Sequence, residues 1–185
     1  MLELFSVPIH SEKLSLDTKN LIDYCLFIRD NNKSIDLSNR GGWHSPSLTG
    51  EHAILNNLFL KILESAEKYR EVINYKHPLK LTNLWININN YKDYNIEHSH
   101  PNCVVSGAYY LTSNNSNIVF VHPAAQLMEY DWNFNVINSL NKYNSPNWSI
   151  NPSQNELLLF PSWLSHRVEP NLSEENRISI SFNLR

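Results

Sequence analysis

Helical periodicity early in the chain and many short strands after it predict a mainly β protein. The expected architecture is an antiparallel barrel or jelly roll with helices packed on one outer face. Apolar residues recur at helical spacing in two stretches before His77-Pro78. After that point the period drops to two, and turn residues interrupt the alternation at intervals. At 185 residues the chain predicts one domain, with residues 1–78 as a helical support region and residues 79–185 as the jelly-roll core.

Charge and hydropathy argue against two classes of partner. The formal net charge is −3 and the charged residues are scattered, so there is no basic stripe that would neutralise nucleic-acid phosphates. No apolar run is long enough to span a bilayer, and residues 1–8 lack the pattern of a secretory leader. We therefore expect a cytoplasmic protein without nucleic-acid or membrane partners, in which Cys25 and Cys103 are buried thiols. The oligomeric state is left open, a homodimer included.

The first two elements are predicted to be an edge strand and a helix. Leu4 to Ile9 alternate apolar and small residues, and Pro8, which has no amide hydrogen, restricts this segment to a sheet edge or a strand start. From Asp17 the spacing becomes helical, and either Asp17 or Thr18 can cap the helix start. The apolar stripe of this helix consists of Leu21, Tyr24, Cys25 and Ile28.

A loop and a longer helix follow. Asn39 to Pro46 contain paired glycines and a proline, which break both regular patterns, so a loop is predicted. The second helix is predicted to start at a Thr49 cap, to run through Tyr69 and to bury one face against a sheet. Its stripe consists of Ile54, Leu55, Leu58, Ile62, Leu63, Ala66 and Tyr69.

The rest of the chain is predicted to form short strands. In the first strand, Leu84, Ile86 and Ile88 share one face and Trp85, Asn87 and Asn89 the other. The last strand has one apolar face, formed by Ile178, Ile180, Phe182 and Leu184, and one polar face, formed by Arg177, Ser179, Ser181 and Asn183. Other strands are expected at residues 97–101, 104–111, 118–121, 148–150, 156–160 and around His166, with a loop at 124–146. The apolar faces can carry the helices, and the polar faces can line the mouth of a barrel.

Two histidines separated by one residue form a candidate metal site. His98 and His100 share one face of an extended segment, so both imidazoles point the same way. His166, at the end of an apolar strand, is the best candidate for a third ligand. Two imidazoles with a third donor bind a first-row divalent metal and leave coordination positions open. The alternative is a pair of half-exposed strand histidines that hydrogen-bond to neighbours. Five other histidines have no partner at ligand spacing and are expected to be structural, namely His10, His44, His52, His77 and His122. His122 is a weak exception, because its neighbour Pro123 ends a strand close to the expected barrel mouth.

Arg177 is the candidate anion-binding residue. Its planar guanidinium matches a carboxylate with two parallel hydrogen bonds, and its burial at a strand start makes sense if an anion pairs with it. The alternative is a salt bridge to Glu174 or Glu175 in the preceding loop.

Further side chains are candidates for the cavity wall. Asn87 shares its face with Trp85 and Asn89, and the amides offer donors and acceptors to a substrate or cosubstrate. Tyr109 and Tyr110 are adjacent in a strand, so only one of them can face the cavity, and packing alone also explains either.

These segments resemble the 2-oxoglutarate/Fe(II) oxygenases often found in phage genomes, within the prolyl-hydroxylase-like double-stranded β-helix superfamily. The resemblance is carried by Glu97-His98-Ser99-His100-Pro101 with residues 106–111, by Leu157 to His166, and by Arg177 to Asn183, and it covers residues 80–185 best.

The resemblance implies a double-stranded β-helix with iron in the barrel mouth. By it, His98, His100 and His166 are the metal ligands, and Arg177 pairs with the distal carboxylate of 2-oxoglutarate. Tyr109 or Tyr110, or Ser179, would add a hydrogen bond to that carboxylate. The implied activity is hydroxylation of an unknown small-molecule or peptide substrate with Fe(II) and 2-oxoglutarate, in the host cytoplasm if a phage encodes the protein.

One ligand departs from the family pattern. His100 stands where the usual facial triad has Asp or Glu, which leaves a neutral three-histidine set. Two other interpretations therefore stay open. One is a cupin-like three-histidine metal dioxygenase that does not use 2-oxoglutarate and whose Arg177 binds the substrate carboxylate. The other is a non-catalytic jelly-roll binding or structural protein. A second departure, Asn155 in a turn where relatives tend to have Gly, is harmless because Asn tolerates positive φ.

Overall fold

Two antiparallel sheets dominate the computed structural model, which describes residues 2–48, 52–112 and 116–185. The strands are β1 (His10–Lys13), β2 (Asn39–Arg40), β3 (Trp43–His44), β4 (Leu81–Asn89), β5 (Tyr94–His98), β6 (Val105–Tyr110), β7 (Ile118–Val121), β8 (Asn147–Ile150), β9 (Glu156–Pro161), β10 (His166–Val168) and β11 (Arg177–Leu184). The helices are α1 (Thr18–Asn31), α2 (Asn56–Val72) and α3 (Ala125–Asp131), with 3-10 turns at Ala53–Leu55 and Phe134–Val136. Among the described residues, no helix has the length and apolar character needed to cross a membrane.

The strands are divided between a six-stranded and a five-stranded sheet. The six-stranded sheet has the order β1-β9-β6-β11-β4-β3, and the five-stranded sheet has the order β2-β5-β10-β7-β8. Every pairing is antiparallel, as expected for a jelly roll. The predicted support region, residues 1–78, supplies β1, β2 and β3 as well as two helices.

The larger core lies between α1, α2 and the outer face of the six-stranded sheet. Helix α1 contributes Leu21 and Cys25, and α2 contributes four buried side chains of its stripe. The apolar faces predicted for β4 and β11 meet them, since Leu84, Ile86 and Ile88 and their counterparts on β11 belong to the same core. The prediction of helices packed on one outer face is confirmed.

A smaller core joins the two sheets. Ala108 and Tyr110 of β6 pack against Ile118 and Phe120 of β7, with residues of β9 between them. The polar faces of β4 and β11 point to this side, because side chains alternate along a strand. The interior between the sheets is therefore apolar at one side and polar at the other.

Several boundaries near the N-terminus differ from the sequence prediction. The first strand is not Leu4 to Ile9. It begins at His10, two residues after Pro8, where the backbone pairs with β9 at the sheet edge. Asp17 caps α1 as predicted, its carboxylate accepting from the Lys19 amide at 3.0 Å.

The segment Asn39 to Pro46 is not only a loop, because it contains β2 and β3. Between these two strands Gly41 has φ of 78°, and a Cβ there would meet the Asp93 side chain at 1.8 Å. Glycine is therefore required at this turn, which carries the chain from one sheet to the other. The predicted Thr49 cap lies outside the described residues, and α2 begins at Asn56 after a 3-10 turn.

The predicted loop at 124–146 contains α3 and a 3-10 turn. Only Met128 of α3 is buried, so its sequence offered no apolar stripe to detect. Ile54 and Leu63, placed on the second helical stripe by sequence, are 39% and 41% exposed, because they lie at its margin.

Candidate metal centre

Three histidine side chains converge at one end of the five-stranded sheet. His98 is the last residue of β5 and His166 the first of β10, and the two are directly paired across the ladder. Their ring centroids are 4.4 Å apart, and the His100 ring lies 5.1 Å from His98 and 5.2 Å from His166. The candidate ligand atoms lie within 4.8 Å of one another.

His98 and His100 converge for a different reason than predicted. Alternation along one strand does not apply, since β5 ends at His98 and His100 lies beyond it. The His100 amide instead donates to the Ser162 carbonyl at 2.9 Å, which holds the chain against the end of β9. This backbone contact and the pairing of β5 with β10 together assemble the three rings.

Backbone carbonyls determine which ring nitrogens carry the proton in two of these histidines. The His98 Nδ1 donates to the Ile96 carbonyl at 2.7 Å, and the His166 Nδ1 donates to the Leu164 carbonyl at 2.9 Å. A carbonyl can only accept, so Nδ1 is protonated and Nε2 keeps its lone pair. This arrangement leaves Nε2 of both residues available to a metal.

All three imidazoles are held in the neutral form. Burial, with a smaller contribution from the neighbouring His98, lowers the pKa of His166 to about 3 and that of His100 to about 4. Burial also lowers the pKa of His98, although its bond to the Ile96 carbonyl opposes the shift. Only neutral imidazole coordinates a metal, so the donor set fits a divalent first-row ion.

Arg177 and Tyr110 lie in the cavity that the three histidines border. Arg177 is 4% exposed, and its guanidinium carbon is 5.3 Å from the centre of the Tyr110 ring. Burial lowers the pKa of Arg177 and raises that of the Tyr110 hydroxyl. No ion pair among the described residues includes Arg177, so the alternative salt bridge to the preceding loop is not formed.

The Tyr110 hydroxyl is buried, and within the described part of the chain no group accepts its proton, because the adjacent Arg177 guanidinium can only donate. A buried hydroxyl donor without an acceptor, beside a buried cation, is a costly arrangement. Both groups are satisfied when a carboxylate binds between them, so these residues fit the distal carboxylate of 2-oxoglutarate.

Two more of the predicted cofactor-binding residues line the same cavity. Ser179 of β11 and Asn87 of β4 both face it, and the Asn87 amide donates to Ser181 Oγ at 3.0 Å. Asn89 is buried but is not among the lining residues.

Of the two tyrosines that the sequence offered as alternatives, Tyr110 lines the cavity and Tyr109 does not. In the β6–β11 ladder Tyr110 is opposite Ser179, on the polar face, whereas Tyr109 is opposite Ile180 and belongs to the helix-side core. Its hydroxyl donates to the side chain of Asn155, whose φ of 67° agrees with the expectation for that turn. Tyr109 therefore stabilises a turn and does not reach the cavity.

The sequence interpretation missed Asn95 and Ser38, whose side chains are hydrogen-bonded to each other at the cavity wall. Asn95 and His98 are an odd number of residues apart, so strict alternation places them on opposite faces. In the structure, the register between β5 and β10 shifts by one residue between the His98 pair and the Asn95 pair. Such a bulge brings both side chains to one side, and no local sequence signal marked it.

Comparison with protein families gives one match that covers most of the strand region. A family model described as "Putative 2OG-Fe(II) oxygenase" matches residues 83–183. This range contains all three histidines, Arg177 and Tyr110. No curated protein matches the chain in sequence.

Solved structures confirm the double-stranded β-helix. A prolyl-4-hydroxylase of Pseudomonas putida aligns with a TM-score of 0.67 at 10% identity, covering 98% of this chain and 94% of that chain. The viral collagen prolyl hydroxylase vCPH of Paramecium Bursaria Chlorella virus-1 aligns with a TM-score of 0.61 at 12% identity, covering 96% and 95%. HygX of Streptomyces hygroscopicus, solved with nickel and 2-oxoglutarate bound, aligns with a TM-score of 0.67 at 12% identity, covering 96% and 82%. At such low identity these likenesses establish the fold alone.

Proposed function

The chain belongs to the 2OG-Fe(II) oxygenase family, and we propose that it oxidises its substrate at a metal ion held by His98, His100 and His166. Fe(II) and 2-oxoglutarate are the cofactors typical of that family, so the protein is an oxidoreductase. When bound, Fe(II) and 2-oxoglutarate turn dioxygen into an oxidant for a C–H bond, with succinate and CO2 as products.

The observation that carries the proposal is the placement of a neutral three-imidazole set and a buried guanidinium in one cavity. Three imidazole nitrogens at about 2.1 Å from one ion are about 3 Å apart, a spacing compatible with the ligand atoms observed here. Three protein ligands leave positions open for a cosubstrate.

Each cavity residue then has a distinct task. Arg177 binds the distal carboxylate of 2-oxoglutarate, and the Tyr110 hydroxyl donates a second hydrogen bond to it. Ser179, on the same face of β11, supplies a further hydroxyl. Near the metal ligands the wall is apolar, since the Phe160 ring lies 4.7 Å and the Phe120 ring 6.1 Å from the His166 ring, and these rings exclude water there.

Metal stoichiometry and cosubstrate turnover test the proposal. Purified protein should bind about one divalent first-row ion per chain, with Ni(II) or Zn(II) able to replace Fe(II) because imidazole sites follow the usual affinity order. His98→Ala and His166→Ala should each abolish binding, whereas His77→Ala, at an exposed histidine, should not. Full metal occupancy in the His166→Ala protein would remove that residue from the site. Fe(II)-loaded protein should release succinate from 2-oxoglutarate under air, and the His166→Ala protein should not.

A second candidate function is favoured by the donor set itself. Three histidines without a carboxylate also suit a cupin-like metal dioxygenase in which Arg177 binds the carboxylate of the substrate directly. The two functions differ in 2-oxoglutarate binding. If the metal-loaded protein neither binds 2-oxoglutarate nor converts it to succinate, the second function replaces the first.

A further inference from the structure

His100 differs from the other two candidate ligands in how its ring is held. The rings of His98 and His166 are each tied to a backbone carbonyl through Nδ1. Within the described residues, the His100 ring makes no hydrogen bond to the protein. Its neighbour away from the other histidines is Trp85, whose ring centroid lies 5.6 Å from that of His100 at an interplanar angle of 47°.

Trp85 is in turn held by His44. The two rings are stacked with centroids 5.8 Å apart and an interplanar angle of 12°. His44 is 6% exposed, and its Nδ1 donates to the Ser45 carbonyl at 2.7 Å. Ser45 is fixed to β4 by two hydrogen bonds with Ile86, at 3.0 Å and 2.9 Å. A rigid stack thus runs from the six-stranded sheet to the His100 ring.

We propose that His44 and Trp85 are positioning residues that orient the His100 imidazole for metal binding. This inference rests on the proposed function, because it requires His100 to be a ligand. His100 lies beyond the end of β5, where only its backbone amide is bonded, so its side chain would otherwise sample several rotamers. The Trp85 ring, which lies tilted beside the His100 ring, excludes rotamers that direct the imidazole away from His98 and His166. The stacked His44 ring limits the movement of Trp85.

The physical role resembles that of a hydrogen-bonded partner outside the metal's own ligands. Loss of such partners typically weakens metal affinity by about 10–100-fold. A packing contact restricts orientation without fixing the tautomer, so the expected effect is near the lower limit, about tenfold. The ring nitrogen of His100 that does not bind the metal would also stay open to solvent exchange, unlike Nδ1 of His98 and His166.

The test uses Co(II)-loaded protein, in which nuclei of metal-bound imidazoles give separate paramagnetically shifted NMR signals. The wild type should give three sets of imidazole signals, with two ring N–H protons that exchange slowly with water and one that exchanges fast. Trp85→Leu should shift the fast-exchanging set, leave the two slow sets nearly in place, and weaken Co(II) binding about tenfold in a chelator competition. Trp85→Phe, which keeps an aromatic face, should fall between Trp85→Leu and the wild type. His44→Ala should move the same set in the same direction.

Trp163→Leu is the matched control, since Trp163 is 58% exposed and is not among the described aromatic rings that contact the three histidines. It should change neither the signals nor the affinity. If Trp85→Leu folds poorly, Trp85→Phe and His44→Ala carry the test. Unchanged signals and affinity in the Trp85 and His44 variants would overturn the positioning role while leaving the proposed function intact. Equal movement of all three sets would overturn it too, because that result indicates a general structural role. Only two imidazole sets in the wild type would remove His100 from the ligands, and with it the ligand set of the proposed function.

Discussion

Replacing Arg177 with methionine should weaken the binding of 2-oxoglutarate without lowering the stability of the folded protein. Methionine matches the unbranched stem of arginine and has no charge, so it keeps the packing of the stem and removes the guanidinium. In the proposed site that guanidinium makes charge-assisted hydrogen bonds, each worth about 1.5–3 kcal/mol. Loss of about 3 kcal/mol corresponds to about a hundredfold weaker binding of 2-oxoglutarate. Metal binding should be unaffected, because Arg177 is not among the candidate ligands.

The same substitution should not destabilise the protein that lacks metal and 2-oxoglutarate. Arg177 is 4% exposed, and within the described chain it takes part in no ion pair. Desolvation of a buried charge costs several kcal/mol, so replacement of an unpaired buried cation with an apolar side chain should be neutral or stabilising. We therefore expect the unfolding midpoint of Arg177→Met to equal or exceed that of the wild type. The cation is kept for its ligand and not for the fold.

Calorimetric titration of Ni(II)-loaded protein with 2-oxoglutarate measures the first effect, and urea unfolding measures the second. Arg29→Met is the control, since Arg29 lies on α1 and does not line the cavity. Tyr110→Phe should weaken 2-oxoglutarate binding by one hydrogen bond from a hydroxyl to a carboxylate, about 1.5 kcal/mol or tenfold. An unchanged dissociation constant in Arg177→Met would refute the assignment. A loss of several kcal/mol of apo stability would show that Arg177 is structural.

Three further outcomes follow from the same geometry. His100→Asp should keep or strengthen Fe(II) binding because a carboxylate offsets part of the metal charge. His100→Ala should weaken Fe(II) binding strongly, as measured by competition with a metal chelator. Unchanged affinity in the alanine variant would exclude His100 as a ligand. Burial lowers the pKa of His100 to about 4 and that of His166 to about 3, below about 6.5 in the unfolded chain, so the folded state binds fewer protons. The stability of the metal-free protein should therefore be highest above pH 6.5 and fall as the pH drops from about 6.5 toward 3. The midpoint of urea unfolding at each pH measures this change. His166→Ala should reduce the dependence of the midpoint on pH, and an equal dependence would contradict the burial of His166 in the neutral form. Gly107→Ala should destabilise the fold by about 2 kcal/mol, because a Cβ would lie 2.4 Å from Phe182 Cζ and 2.6 Å from the Leu158 carbonyl oxygen. If the Gly107→Ala protein unfolds at the same urea concentration as the wild type, this part of the core can adjust.

Strands with one apolar face could be predicted in detail because their period is two. The faces of β4 and β11 follow directly from the alternation, and with them the positions of Asn87, Arg177 and Ser179. The choice between Tyr109 and Tyr110 required the register of β6 against β11, which places Tyr110 opposite Ser179. Both residues are aromatic, so neither polarity nor size separated them. Register between strands far apart in the chain is set by tertiary packing and has no local signal.

Other parts of the site depend on contacts that a pattern cannot encode. The two-residue strands β2 and β3 exist because they pair with β5 and β4, and their own sequence suggests a turn. His44 was therefore assigned as structural, and its stacking against Trp85 beside the candidate metal ligands was not foreseen. The bulge that brings Asn95 to the cavity has the same origin.

Charge balance connects the missing carboxylate to the cosubstrate. In the usual facial triad the carboxylate, the metal dication and a distal arginine leave two positive charges, which the two carboxylates of 2-oxoglutarate neutralise. Here His100 is neutral, so one positive charge remains after 2-oxoglutarate binds beside the buried Arg177. Because electrostatic attraction is strong where water is excluded, the three-histidine site should hold an anionic cosubstrate more tightly than a triad with the same walls. His100→Asp should therefore change the two affinities in opposite directions: the affinity for Fe(II) should be kept or raised, and the affinity for 2-oxoglutarate should be lowered. Parallel changes in the two affinities would mean that His100 influences the site by packing and not by its charge.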